Sequence, residues 1–498
     1  MPRNSFCGSA DHALNRRSFL GAATLAGIGA ATGMSGLNAL AAPDVAKDLK
    51  KTQKRVILLW LAGGASQLET WDPKPGAVTG GPFRAIPTDV PGIHISELMP
   101  EMAKRMKHTC IIRGLDTKNG DHGGGAKLMT RGRRDESGVK YPDIGAVVAR
   151  EMGRAESKVP DYVAFYSQTE GRIAGDSGFL GARYAPMELT MGNTPEFLKK
   201  LDGINELDHQ QRADLRNVFS KQFSKDHSSN TLSSHNEAYE RVRGIMASET
   251  LFDITKEPQK IRDKYGKTQL GEQALIARRL VEAGVPFVRV ARAWWDSHGQ
   301  NFETHQEMVP ELDHVMAALT DDLNDRGLLD DVMIVTLAEF GRTPGINPSL
   351  GRDHFASAWS MSMTGGGIKG GSVYGKTDDK GQKVVAEEVN AANLFATIYS
   401  ALGINPHKNY YVGARPIPLV DPGAEAIKVS FNFPKAHGRL SVGFPTISTV
   451  ISCPRHLPKR SNSSRTSPAP RLRSRSLGCR NRTRFSWVRR TSKSVRAS

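Results

Sequence analysis

The sequence predicts an α/β protein with a doubly wound sheet. Three features of the chain predict it. Short, unbroken apolar runs recur along it, helical patterns lie between them, and carboxylates and imidazoles gather in the stretches that leave those runs. An unbroken apolar run of strand length reads as a strand covered on both faces, the usual state of a parallel sheet. Strands that alternate with helices argue a layered α/β fold rather than a sandwich or a bundle.

The first run is Val56–Leu61, preceded by Lys54-Arg55 and closed by Gly63-Gly64. Further strand candidates are Thr109–Ile112, Tyr162–Phe165, Pro286–Ala291, Val332–Leu337 and Trp359–Thr364. Helical patterns cover Asp143–Met152 and Asn390–Leu402, the latter closed by Gly403. Thr304 and Glu307 form a capping-box pattern, which predicts a helix start at Thr304. That helix would present Met308, Leu312, Val315, Met316, Leu319 and Leu323 on one face and stop at Arg326-Gly327. Residues 195–282 are more polar, with Phe219, Phe223, Tyr239, Met246 and Leu275 as scattered anchors, and read as a helical insertion beside the sheet. Gly365–Gly371 looks superficially like a phosphate cradle. No Walker Lys-Ser/Thr pair and no GxGxxG follow in register, so a turn is the better reading.

The two ends read differently from the middle. The 498 residues carry 68 Lys+Arg against 51 Asp+Glu, a net charge of +17. Residues 453–498 account for +14 of it and residues 1–41 for +2, so the intervening chain is almost neutral. A nucleic-acid groove across the body is therefore not expected. Residues 1–41 hold Arg16-Arg17 before Phe19-Leu20, an uncharged small-residue stretch and Ala39-Leu40-Ala41. This is the pattern of a twin-arginine-type export signal cut near Ala42, and it predicts a periplasmic or extracellular protein. The Arg/Ser/Pro-rich segment 453–498 cannot bury enough apolar surface to order itself and reads as a disordered basic tail. It could be a nucleic-acid or anionic-surface arm, but the text of an unselected reading frame is the better reading, because a lone basic tail carries no recognition geometry. After the signal no apolar run reaches the length of a membrane span. The four cysteines, Cys7, Cys110, Cys453 and Cys479, have neither metal nor disulfide spacing.

In open α/β sheets, ligands bind beyond the carboxyl ends of strands. There the chain places Asp121-His122, Asp296-Ser297-His298 and Glu339-Phe340-Gly341-Arg342, with Gly351-Arg352-Asp353-His354 just beyond. Mixed nitrogen and oxygen donors suit Zn²⁺ or Mn²⁺. Each pair alone is weak, because Asp caps turns and exposed His is common; clusters on separate post-strand loops are stronger together. His305 is expected near the helix start rather than at a metal.

The blocks Leu61–Pro75, Trp295–Phe302, Glu339–Pro344 and Gly351–His354 with Gly365–Gly371 together resemble domain of unknown function family 1501, over about residues 54–430. That family is placed with the alkaline-phosphatase-like and sulfatase folds. The resemblance implies an alkaline-phosphatase-like central sheet flanked by helices, with a metal-hydrolase edge. Carried over by position, Asp296 and His298 resemble one ligand pair of the superfamily, and His354 with Asp353 a further one. The late Asp-His pair falls at Glu339-Phe340. The nucleophile position falls at His122, and the first-strand carboxylate at Gly63-Gly64. A reduced, one-metal site is thus expected. Asp296, His298, Asp353 and His354 would hold a divalent metal, and His122, Glu339, Arg342 and Arg352 would serve catalysis. The implied activity is hydrolysis of a phosphate or sulfate ester, small or carried on a glycan. The rival is a non-catalytic binder of an anionic glycan or a partner protein on the same edge.

Overall fold

A computed structural model describes residues 53–134, 136–154, 157, 159–165, 175–189, 205–226 and 249–428. The export-type segment, the basic tail, Tyr239 and Met246 lie outside the described residues. All described residues belong to one compact unit, Met1–Lys435. Among them, no helix is long and apolar enough to cross a membrane.

Ten strands matter here: β1 (Arg55–Leu61), β2 (Thr109–Leu115), β3 (Tyr162–Phe165), β4 (Met187–Leu189), β5 (Phe287–Arg292), β6 (Val332–Leu337), β7 (Gly341–Arg342), β8 (His354–Phe355), β9 (Trp359–Gly365) and β10 (Ser372–Tyr374). Eight of them form one sheet in the order β10-β2-β9-β6-β1-β5-β3-β4. β1 runs parallel to both β5 and β6, and β3 to β4 and β5. β9 alone runs against its neighbours β2 and β6. The expected α/β class is observed, with a mixed central sheet. All seven residues of β1 are buried, so helices must cover both faces. Each fully buried Val, Leu or Ile there contributes about 2 kcal/mol of apolar burial. The Gly365–Gly371 segment is a turn, as read: Ile368 N–H donates to the Gly365 carbonyl at 3.0 Å.

The helices used below are α1 (His122–Arg131), α2 (Ile144–Met152), α3 (Glu206–Asp226), α4 (Gln269–Glu282), α5 (Asn301–Asp325) and α6 (Ala391–Ala401). Asp121, Asp143 and Asn390 cap α1, α2 and α6 through their side-chain oxygens. Two expectations need correction. α5 starts at Asn301, about one turn before Thr304, and Gln300 precedes it without a side-chain cap. The start is fixed by tertiary bonds instead: Asn301 N–H donates to the Leu350 carbonyl at 3.0 Å, and Ser297 Oγ–H to Asn301 Oδ1 at 2.7 Å. The expected insertion, 195–282, is not uniform. α3 exposes Phe219 and Phe223, but α4 buries Leu270, Leu275, Ile276 and Leu280 as part of the main core. Polar residues on the outer face of α4 masked that role in the sequence.

Candidate metal centre

The sheet brings the site together because of its one reversed strand. The carboxyl ends of β1, β2, β5 and β6 lie on one edge. β9 runs the other way, so the segment that enters it, carrying Asp353 and His354, arrives at that same edge. β7 and β8 then pair antiparallel, with His354 opposite Arg342.

Asp296 is the hub. His122 Nε2 lies 3.2 Å from its Oδ2, and His354 Nε2 lies 3.1 Å from its Oδ1. His298 Nε2 lies 3.2 Å from the same Oδ1, and Arg342 Nη2 also reaches it. The two imidazoles are 3.0 Å apart, Nε2 to Nε2. Their tautomers follow from their other partners. His354 Nδ1 faces the Gly120 carbonyl at 2.8 Å, and His298 Nδ1 faces Asp353 Oδ1 at 2.7 Å. Carbonyl and carboxylate can only accept, so both Nδ1 atoms donate, and in the neutral imidazoles both Nε2 atoms then present lone pairs. In that form two imidazole lone pairs and one carboxylate oxygen converge, an arrangement that a cation between them would satisfy. Two imidazoles and one carboxylate with open positions match the donor set of catalytic zinc sites, so the residues fit the expected divalent metal. His122, Asp296 and His354 also each offer a ligand atom within 4.8 Å of one another.

His122 is better placed as a cation than as a fourth ligand. Its Nδ1 lies 3.1 Å from Glu339 Oε1 while its Nε2 faces Asp296. Hydrogen bonds to Asp296 and then Glu339 outweigh burial and raise its pKa to about 9. Asp296 responds in the opposite sense. Burial would push it up, but hydrogen bonds with His122 and, where its Nε2 carries the proton, His354, together with the Arg342 guanidinium, hold it well below the usual carboxylate range. Hydrogen bonding to His298 likewise lowers Asp353.

The other expected residues take different places. Asp353 stands behind His298 and orients its ring, a supporting rather than ligating position. Glu339 is fully buried, accepts from Gly63 N–H at 2.8 Å, and leaves Oε2 without a partner. Arg342 is fully buried. It donates from Nε to the Gly64 carbonyl at 2.9 Å and from Nη1 to the Arg352 carbonyl at 3.1 Å. Its guanidinium therefore holds Asp296 from the protein side. Arg352 is not at the cluster: it pairs with buried Glu69 at 2.8 Å and donates to the Thr79 carbonyl at 2.8 Å. It ties the His354 segment to the loop after β1. His305 is buried at Ser66 N–H, 2.9 Å, and the Asn301 carbonyl, 2.8 Å, and burial lowers its pKa.

Sequence reasoning missed several supports. Phe340, at the position where the resemblance leads one to expect a ligand, stacks under His354 with ring centroids 4.2 Å apart. Gln67 clamps Arg342 by accepting from its N–H at 3.0 Å and donating to its carbonyl at 2.7 Å. Gly63, with φ +106°, stands where a carboxylate was expected; a Cβ there would lie 2.5 Å from Asp296 N. The loop carrying Asp296 occupies that space. The Gly63-Gly64 pair was the signal available for this close approach, whereas nothing near Glu69 in the sequence points to Arg352.

Comparison with known proteins places the chain in a family. The family described as "Protein of unknown function (DUF1501)" matches residues 53–431. The chain belongs to it. No curated protein matches. Among solved structures, the PsFucS1 sulfatase from Pseudoalteromonas is 12% identical, with 72% of this chain and 70% of that one covered at a TM-score of 0.35. The phosphonate monoester hydrolase of Agrobacterium radiobacter is 12% identical, covering 76% and 79% at 0.30. A TAB5 alkaline phosphatase variant with magnesium is 10% identical, covering 71% and 99% at 0.32. Superposition scores this low carry no argument, and the α/β class of this DUF1501 chain rests on its own sheet.

Proposed function

We propose that this DUF1501 protein is an exported, divalent-metal-dependent hydrolase of phosphate or sulfate esters. The observation that carries the reading is the convergence of His298 Nε2, His354 Nε2 and Asp296 Oδ1 within 3.0–3.2 Å at the ligand-binding edge of the sheet. Those three residues would hold the ion, and a bound ion would supply Lewis-acid polarisation of a phosphoryl or sulfuryl oxygen. The chain's own residues do the rest. Cationic His122 at the N-terminus of α1, together with a bound ion, would make the edge attractive to an anion. Partly exposed His122 holds a proton between Asp296 and Glu339 and gives it to the leaving alcohol oxygen as the ester bond breaks. Water supplies the replacing oxygen, and its proton restores His122. Buried Arg342 keeps Asp296 ionised and in place.

No serine, threonine or cysteine side chain is among the hydrogen-bond partners of His122, Asp296, His298 or His354 in the described residues, a lack that supports direct displacement by water rather than a covalent ester. The same lack favours the second reading, a metal-assembled binder of an anionic glycan or a partner protein. The test is metal analysis of the purified protein followed by assay on an aryl phosphate and an aryl sulfate, with and without chelator. About one Zn²⁺ or Mn²⁺ per chain and chelator-sensitive turnover support the hydrolase. Bound metal without turnover on either ester supports the binder. Export is tested by Arg16→Lys with Arg17→Lys, which should retain the protein in the cytoplasm if the signal is of the twin-arginine type.

A further inference from the structure

Five residues other than glycine adopt positive φ among the described residues, and four of them lie on the loops that carry the metal centre. Lys118 precedes Gly120 and His122, Trp294 precedes Asp296, Gln300 follows His298, and Leu350 precedes Asp353. Trp294, at φ +76°, is the bulkiest. Backbone strain at a large side chain persists where the surroundings impose it, and packing does not explain it here, since Trp294 is 60% exposed. Leu350, at φ +58°, is 58% exposed.

Their position relative to the cluster follows from the loop. Burial alternates along it: Trp295 and Ser297 are buried, whereas Trp294, Asp296 and His298 keep access to solvent. Trp294, Asp296 and His298 are thus the solvent-accessible residues of this stretch. Leu350 is set beside the next stretch by a backbone bridge to Gly299 and by its carbonyl, which accepts from Asn301 N–H at 3.0 Å. An exposed indole and an exposed isobutyl group thus lie on the two loops that carry Asp296, His298 and His354.

We propose that Trp294 and Leu350 form an apolar wall for the alcohol portion of the substrate, so that the preferred ester is borne on a six-membered ring with a flat apolar face. The proposal rests on the ester-hydrolase reading and names its substrate class. An indole offers large, rigid contact area at small entropic loss, and it stacks on a ring face whether the ring is an aryl group or a pyranose. A small alkyl ester has no face to offer and gains nothing from the wall.

The test is calorimetric titration of metal-loaded protein with methylphosphonate, phenylphosphonate and a pyranosyl methylphosphonate. Wild type should bind at least one ring-bearing phosphonate about ten-fold more tightly than methylphosphonate, a stacking-sized preference. Which ring gains more separates an aryl from a sugar substrate. In Trp294→Ala the preference should fall to within about two-fold, with methylphosphonate affinity unchanged. Trp294→Gly should lose the preference equally while keeping metal content and at least wild-type thermal stability, because glycine adopts this φ without strain. Equal binding of all three phosphonates by wild type, or a ring preference that survives in both variants, overturns the wall. Ring preference without turnover of any phosphate or sulfate ester leaves the wall standing and removes the hydrolase.

Discussion

Two polar clusters in this molecule are built on opposite principles. Around Arg278, on α4, three guanidinium groups meet three carboxylates. Arg278 lies 2.8 Å from Glu257 and 2.9 Å from Asp322, Arg326 lies 2.8 Å from Asp322, and Arg279 also reaches Glu257. Glu282 lies 2.9 Å from Arg326 and closes the set. Every charge there has an opposite neighbour, so the cluster is neutralised from within. Around Asp296 the Nε2 atoms of His298 and His354 and one carboxylate oxygen face each other, and Glu339 keeps a buried oxygen unpartnered. A closed network ties helices together, whereas an open one has room for an ion. The difference lies in residue type: guanidinium groups always donate, whereas imidazole presents a lone pair once its other nitrogen is committed.

The largest expected effect falls on the closed network. Arg278→Ala leaves buried Asp322 without its main partner and should cost about 3–5 kcal/mol in urea unfolding while leaving metal content intact. Metal lost along with stability would show that the two clusters are not separate. At the open cluster, His354→Ala should abolish metal retention through dialysis against dilute chelator, and the metal-free variant should melt close to metal-free wild type. A variant that still holds one ion would remove His354 from the ligand set. Asp353→Asn should weaken metal binding by about 10–100-fold, because Asp353 only orients His298. Complete loss would make Asp353 a ligand after all, as its spacing in the sequence suggested.

A third environment sharpens the contrast. Buried Asp313 accepts from the Glu101 and Met102 N–H groups at 2.9 and 2.7 Å, and burial outweighs these bonds to raise its pKa to about 6. Its protonated form is thus favoured in the folded chain. The stability it contributes is complete below about pH 4 and lost as pH rises through about 6. Wild type should therefore lose on the order of 2 kcal/mol relative to Asp313→Asn between pH 4 and pH 7. A difference that stays flat with pH would mean that Asp313 is ionised throughout.

The strands were legible because burial on both faces leaves an unbroken apolar run: Tyr162–Phe165 and Val332–Leu337 have the bounds read from the sequence. Short edge strands such as β4 and β10 carry too few residues for a pattern. The capping box at Thr304 misled because local capping is worth about 1 kcal/mol, less than the buried Ser297–Asn301–Leu350 contacts that start α5 earlier.

By itself the sequence determined the α/β class and set Asp296, His298, His354 and His122 on segments that follow strands. Those properties are local: they depend on apolar runs and on the order in which loops follow strands. Tertiary structure decided what each charged group does. Direction along the chain does not reveal that β9 runs backwards, and only that reversal brings His354 to Asp296. Nor could spacing separate Arg342, which braces Asp296, from Arg352, whose guanidinium lies against Glu69, 283 positions earlier in the chain. A charge acts over a few ångströms, and its neighbours at that range are chosen by packing rather than by sequence position.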